Sequence, residues 1–263
     1  MRRARRPIVF VCAALATSLP LAPTRSAVAA AETRPAATSR PATVGGRIAA
    51  EAARIVSAAK ESAYEHKTTV DAARGLYRCD CSGLAGLVLK AASPAHLAAV
   101  TKPAGRVRPL AEDFHATFVA APPVDAAPDA NRPATGPWRQ VVAVADLRPG
   151  DLLAWKSTTH QPGDGTNTGH VMVVAEPAAE VPWPADAKPD HRPATGRRMY
   201  RVVVIDSTMS GHADDTRPKG TTGVGRGAIY LEAGADGRPA AYHWSSPASP
   251  PREAPIAGGR GVE

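Results

Sequence analysis

Residues 79–91 read Cys-Asp-Cys-Ser-Gly-Leu-Ala-Gly-Leu-Val-Leu-Lys-Ala, a pair of cysteines at the head of an apolar run. Leu84, Leu87, Val88 and Ala91 fall at i, i+3, i+4 and i+7, the stripe of a helix whose N-terminal end carries Cys81 and Ser82. Unpaired backbone N–H groups and the positive end of the helix dipole favour a thiolate there, so Cys81 is a candidate nucleophile. A nucleophile of this kind needs a base and a group to orient the base. His170 opens the apolar segment Gly-His-Val-Met-Val-Val at 169–174. If residues 170–176 and 200–206 pair antiparallel with Glu176 opposite Tyr200, His170 stands opposite Asp206, close enough for the carboxylate to hold the ring. A slip of one residue would turn Asp206 to the other face.

The rest of the chain must position these three. Ile48, Ala52, Ile55, Val56, Ala59 and Ala63 predict a first helix from Gly46 to about His66, ahead of the Cys81 helix. Strands are expected at about 151–156, 169–175, 200–206, 227–232 and 240–245. Helices first and strands after indicate an α+β domain, N-terminal helices packed on a largely antiparallel sheet. Between them, 93–140 reads as an insertion with a short helix marked by Leu110, Phe114 and Phe118, placed to form one wall of a cleft. A second insertion is expected at 177–199. The domain is expected to span 46–247, preceded by a Pro/Ala/Thr-rich linker at 32–45 and followed by a disordered tail at 248–263.

Arg2, Arg3, Arg5 and Arg6, an apolar stretch from Ile8 to Ala22 and Ala-Val-Ala-Ala-Ala at 27–31 read as a secretory signal over 1–31. Cleavage near Ala30 removes five arginines and no acidic residue, taking the formal charge from +8 to +3. The basic balance is thus mostly a property of the leader, which argues against a nucleic-acid partner. No later stretch is long and apolar enough to span a bilayer. A secreted or cell-envelope protein, monomeric and without cofactor, is expected. Cys79 and Cys81 are the cysteines left after the leader, and two residues apart they make a strained disulfide; a reactive thiol is the simpler reading.

Asp-Cys-Ser-Gly-Leu at 80–84, Leu-Arg-Pro-Gly-Asp-Leu-Leu-Ala-Trp at 147–155 and Gly-His-Val-Met-Val-Val at 169–174 together resemble, in order, the sequence blocks of the NlpC/P60 peptidases, a papain-like family of cell-wall amide hydrolases. The resemblance spans roughly residues 75–210. It implies a papain-like fold, Cys81 as nucleophile, His170 as base, and peptidoglycan peptide as substrate, such as a bond between D-glutamate and a diamino acid. Asp206 stands where that family commonly has a histidine. The family's aromatic, Gly-rich segment upstream of the cysteine is not recognisable, and Tyr77 is the expected replacement for its tyrosine. Asp80, Ser82 and Trp155 complete the expected substrate-binding set.

Other readings compete. Cys81 taken alone suits a buried, inert helix cysteine, His170 a structural strand residue, and Asp206 a strand-end turn with Ser207 and Thr208. Cys79, Cys81, His212, Asp214 and Asp215 carry metal-ligand atoms, but Cys-x-Cys lacks the usual zinc spacing, so no metal is expected. Gly-Val-Gly-Arg-Gly at 223–227 precedes a strand and opens no helix, so it reads as a flexible loop near the cleft and not a phosphate cradle. Trp155, Trp183 and Trp244 suit either core or substrate platform.

Overall fold

A computed structural model describes residues 43–126, 136–159, 167–185, 187, 188, 191 and 195–263. The leader expected at 1–31 and the linker residues 32–42 lie outside them. Helix α1 (Val44–Ala58) starts earlier than expected, because the Thr43 hydroxyl caps it by accepting from the Gly46 N–H at 3.1 Å. Val44, Ile48, Ala52 and Ile55 form its buried stripe. It stops at Ala58 instead of running to His66. Past Ala59 only Ala63 continues the apolar pattern, and the chain pairs instead. Strands β1 (Glu61–Ala63), β2 (Thr69–Asp71) and β3 (Leu76–Arg78) make a small sheet in the order β1-β3-β2.

Helix α2 (Cys81–Ala92) follows, capped by the Asp80 carboxylate, which accepts from the Gly83 N–H at 2.7 Å. A cap of this type contributes about 1 kcal/mol. Its buried residues include Leu84, Ala85, Val88, Leu89 and Ala92, a stripe turned slightly from the expected one, since Ala91 faces solvent. Next come α3 (Pro94–Ala104), α4 (Ala111–Ala120) and β4 (Trp138–Val141). The described residues of the segment expected as an insertion thus carry three elements whose apolar side chains join the core. Phe114 and Phe118 are fully buried, Phe118 lies 5.0 Å from the Trp138 ring, and burial of each contributes roughly 2–3 kcal/mol.

The remaining strands are β5 (Leu152–Lys156), β6 (Gly169–Val174), β7 (Ala179–Val181), β8 (Arg198–Thr208), β9 (Gly223–Ala233), β10 (Pro239–His243), β11 (Arg252–Glu253) and β12 (Ile256–Gly261). They build a nine-stranded antiparallel sheet in the order β11-β10-β9-β8-β6-β5-β12-β4, with β7 also paired to β8. The α+β reading holds at that level: N-terminal helices followed by a large antiparallel sheet.

Three expectations fail. The tail at 248–263 is not disordered: β12 lies inside the sheet between β5 and β4, and Arg260 sends two 2.8 Å hydrogen bonds to Asp151 of the Pro-Gly-Asp turn. Its Ile-Ala-Gly-Gly-Arg-Gly sequence gives little apolar signal because its glycines are packed closely by other elements, Gly259 against Phe118, Gly258 against Val141 and Gly261 against Val44 and His96. Residues 223–227 are not a loop but the first half of β9. Finally, β6 and β8 pair as Val173↔Ile205 and Val174↔Val204, two residues from the predicted register. Two residues is a full side-chain period, so His170 and Asp206 keep a common face as diagonal neighbours.

One side of the sheet is packed by the helices, where Ile48, Leu84, Val88, Phe114, Val171, Val173 and Ile205 share a core. A second core on the other side gathers Leu153, Trp155, Met172, Val204, Ile229 and Leu231. Both faces are thus covered, which fixes the strands that carry the candidate residues.

Candidate active site

Three elements bring the candidate side chains together. Cys81 is the first residue of α2, His170 the second residue of β6, and Asp206 lies near the end of β8. His170 is paired directly with Trp155 across β5 and β6, their rings 5.3 Å apart. The glycine before it is required: Gly169 has φ +133°, and a Cβ there would sit 1.9 Å from the Trp155 carbonyl oxygen. The His170 Nε2–H donates to Asp206 Oδ2 at 2.6 Å, and the ring lies near enough to Cys81 for the two to interact electrostatically. Burial alone would lower the His170 pKa. The charge of a Cys81 thiolate and the hydrogen bond to Asp206 outweigh it, and the pKa is pushed up to about 10. The group is thus poised to hold a proton beside the sulfur.

Asp206 is fully buried. Against that burial, which opposes ionisation, His212 and His170 hold its carboxyl far below the usual carboxylate range. His212 Nε2 meets the same Oδ2 at 2.9 Å, and both terminal nitrogens of Arg217 donate to Oδ1 at 3.1 Å. Neither His212 nor Arg217 was expected here. Their signal was the alternation Gly-Val-Gly-Arg-Gly. Gly225 pairs with Asp206 across β8 and β9, and a Cβ at Gly225 would lie 2.5 Å from Arg217 Nε, so the missing side chain is what lets the guanidinium lie over the strand.

The expected substrate-binding residues divide. Trp155 lines a cleft of about 220 Å³ together with Tyr64, Asn167, His170, Tyr242, Trp244 and Arg252, among others. Its ring stacks on Tyr242 at 4.3 Å, and Trp244 closes against both. Tyr77 does not belong to this set: it is 2% exposed in the core beneath α1 and α2. Tyr64, just past β1, takes the place expected for it. It interacts electrostatically with Cys81, and burial together with the Cys81 and Asp80 charges raises its phenol pKa. Asp80 and Ser82 are buried and serve the helix start, where Asp80 accepts from Gly83 N–H, Ser82 Oγ, His66 and Arg108, and Arg108 also reaches Ser82. The segment 93–140 contributes none of the described residues of this cleft.

Cys81 is 5% exposed and is not itself among the lining residues, whereas Tyr64 and His170, with which it interacts electrostatically, are. The neighbouring thiol behaves differently. Cys79 is fully buried, its pKa is pushed up to about 12 by that burial, and both cysteines are free. Its carbonyl accepts from Ser207 Oγ at 2.6 Å, tying the segment before α2 to β8 next to Asp206. The polar residues weighed as metal ligands disperse: His212 goes to Asp206 and the Trp244 carbonyl, Asp214 to Arg201, and Asp215 to Arg217. Trp183 lies against His243, outside the cleft.

A thiol and an imidazole that interact electrostatically, with the ring held on a buried carboxylate, can exchange a proton to give a thiolate–imidazolium pair. The cleft beside it offers an aromatic wall and a guanidinium, Arg252, and among the described residues Arg252 has no ion-pair partner and the lining no acidic side chain. Compared with protein-family models, with curated proteins and with solved structures, the chain matches none.

Proposed function

We propose that the protein is an exported cysteine hydrolase of the NlpC/P60 type that cleaves amide bonds in cell-wall peptides. The observation that carries this reading is the continuous chain Cys81–His170–Asp206, with His170 opening onto the cleft. The Cys81 thiolate attacks the scissile carbonyl carbon, and N–H groups at the start of α2 receive the oxyanion. As the C–N bond breaks, the His170 imidazolium gives its proton to the departing amine. The thioester left on Cys81 is hydrolysed by a water that His170, now neutral, deprotonates, and the peptide leaves as a carboxylic acid. Asp206 fixes the ring and favours its charged form. Arg252, without an ion-pair partner among the described residues, suits a carboxylate on the substrate, which peptidoglycan stem peptides carry, and the Trp155–Tyr242–Trp244 wall suits an apolar or sugar face.

A second reading, an envelope protein that keeps this arrangement to bind and not to cleave, is favoured by the low exposure of Cys81. Purified peptidoglycan fragments incubated with the protein and with its Cys81→Ala variant separate the two. New products from the parent alone, read by mass spectrometry, establish hydrolysis and identify the bond. Retention of uncut fragments by both proteins favours binding. An amidase or acyltransferase on another amide would leave the fragments uncut and unbound.

A further inference from the structure

Asp206 is shared between two sides, and a cysteine–histidine–carboxylate set needs only one of them. Oδ2 faces the two imidazoles, His170 at 2.6 Å and His212 at 2.9 Å. Oδ1 faces Arg217, which donates from both terminal nitrogens at 3.1 Å. Arg217 is in turn held from behind. Its Nε and one terminal nitrogen each donate to an Asp215 oxygen at 2.8 Å, and the other terminal nitrogen donates to the Gly223 carbonyl at 2.7 Å. The guanidinium is nearly inaccessible, with 3% of its side chain exposed, so it is built into the protein and does not reach for substrate.

A buried cation on the far oxygen has two consequences of definite sign. It keeps the carboxylate ionised where burial would otherwise protonate it. It also offsets part of the negative charge that stabilises the His170 imidazolium, because a positive charge behind Asp206 repels a second one in front of it. An imidazolium held too tightly is a poor proton donor to a leaving amine, so this offset bears on turnover as well as on charge state.

We infer that Arg217 is a positioning residue that sets the upper pH limit of the Cys81–His170 ion pair by dividing the charge of Asp206, with Asp215 fixing how much of the Arg217 charge is free to do so. The inference rests on the reading of Cys81 and His170 as nucleophile and base. The titratable and charged groups around His170 come from every element packed there: Cys81 from α2, Asp206 from β8, His212, Asp215 and Arg217 from the segment between β8 and β9, Tyr64 from the segment after β1, and Arg252 from β11. Asp80 and Arg108 lie behind Tyr64 at the start of α2. Of these, Arg217 is the cation that touches the Asp206 carboxylate.

Alkylation of Cys81 by iodoacetate reads this limit without any substrate. The anionic reagent reacts fastest while thiolate and imidazolium coexist, so its rate falls at high pH as His170 loses its proton. The rate is followed by mass spectrometry across pH for the parent protein, Arg217→Gln, Arg217→Lys and Asp215→Asn, with His170→Ala as control and circular dichroism to confirm folding. Arg217→Gln should move the alkaline limb up by on the order of one pH unit. Arg217→Lys, which keeps the charge, should leave it within a few tenths of the parent, and Asp215→Asn, which frees more of the Arg217 charge, should move it down. An unmoved limb in both Arg217→Gln and Asp215→Asn, or an equal shift in Arg217→Lys and Arg217→Gln, overturns the inference. Should Arg217→Gln fail to fold, the direction in Asp215→Asn decides, and an upward or absent shift there is a refutation. A parent profile that His170→Ala does not change instead overturns the nucleophile–base reading, and the inference with it.

Discussion

One oxygen atom, Asp206 Oδ2, receives both His170 and His212, and Cys81 interacts electrostatically with both His170 and Tyr64. That connectivity makes two side-chain predictions. Cys81 should alkylate with iodoacetate near neutral pH at least about tenfold faster than its His170→Ala variant, while the deeply buried Cys79 stays unlabelled; peptide mapping reads both. The pKa of His170 is raised on folding, so its stabilisation is complete below the unfolded value of about 6.5 and fades as pH climbs toward 10. Asp206 has the opposite sign: its pKa is lowered, so its contribution is present above about pH 4 and is lost on acidification. Urea denaturation of Asp206→Asn should show a loss of about 3 kcal/mol at pH 7, because His170, His212 and Arg217 lose the buried carboxylate they share and Arg217 keeps only Asp215, and a weaker fall in stability between pH 5 and 3 than the parent shows. Cys81, His170 and Asp206 were legible because local patterns mark each: a capped apolar helix start, a strand start, a strand alternation. Arg217 and Tyr64 were not, since irregular segments without a period deliver them. The clue to Arg217, glycine at every second residue opposite Asp206, looks like a loop until the partner strand is known.

At the scale of elements, the sheet depends on a strand that its own sequence hardly announces. Residues 256–261 offer only Ile256 and Ala257 as apolar side chains, too few to separate a glycine-bearing strand from a tail. What holds β12 is long-range: ladders to β5 and β4 and the Arg260 fork on Asp151, a carboxylate whose pKa burial raises despite that fork. Arg260→Met leaves Asp151 buried without its cation and should cost about 3 kcal/mol in a denaturant melt. Deleting residues 248–263 should remove cooperative unfolding, whereas a dispensable tail would leave the melt unchanged. The earlier strands were easier to see because β5, β6, β8 and β9 carry runs of Val, Ile and Leu buried on both faces. The short strands of the first sheet, three residues each, are below the length at which alternation can be read.

On the scale of the whole molecule, the two cores on either side of the sheet leave the cleft at the rim where α2, β6 and β8 meet β10 and β11. Arg252 stands there with no acidic neighbour in the lining, so Arg252→Ala should lower kcat/KM about 10- to 100-fold for a peptide bearing a free carboxylate near the scissile bond and leave its amidated analogue little changed. A similar loss for both peptides would mean that Arg252 supports the cleft wall and does not read charge. The placement of β12 has a consequence in time. Strand β5, whose other neighbour β6 presents His170, and strand β4 are synthesised more than a hundred residues before the segment that joins them. Until that segment arrives, both strands keep an open edge, and pairings of such wide sequence separation are slow to form. A growing or partly threaded chain therefore has no completed sheet, and β5, the strand beside the one that carries His170, gains its second neighbour only when residues 256–261 pair.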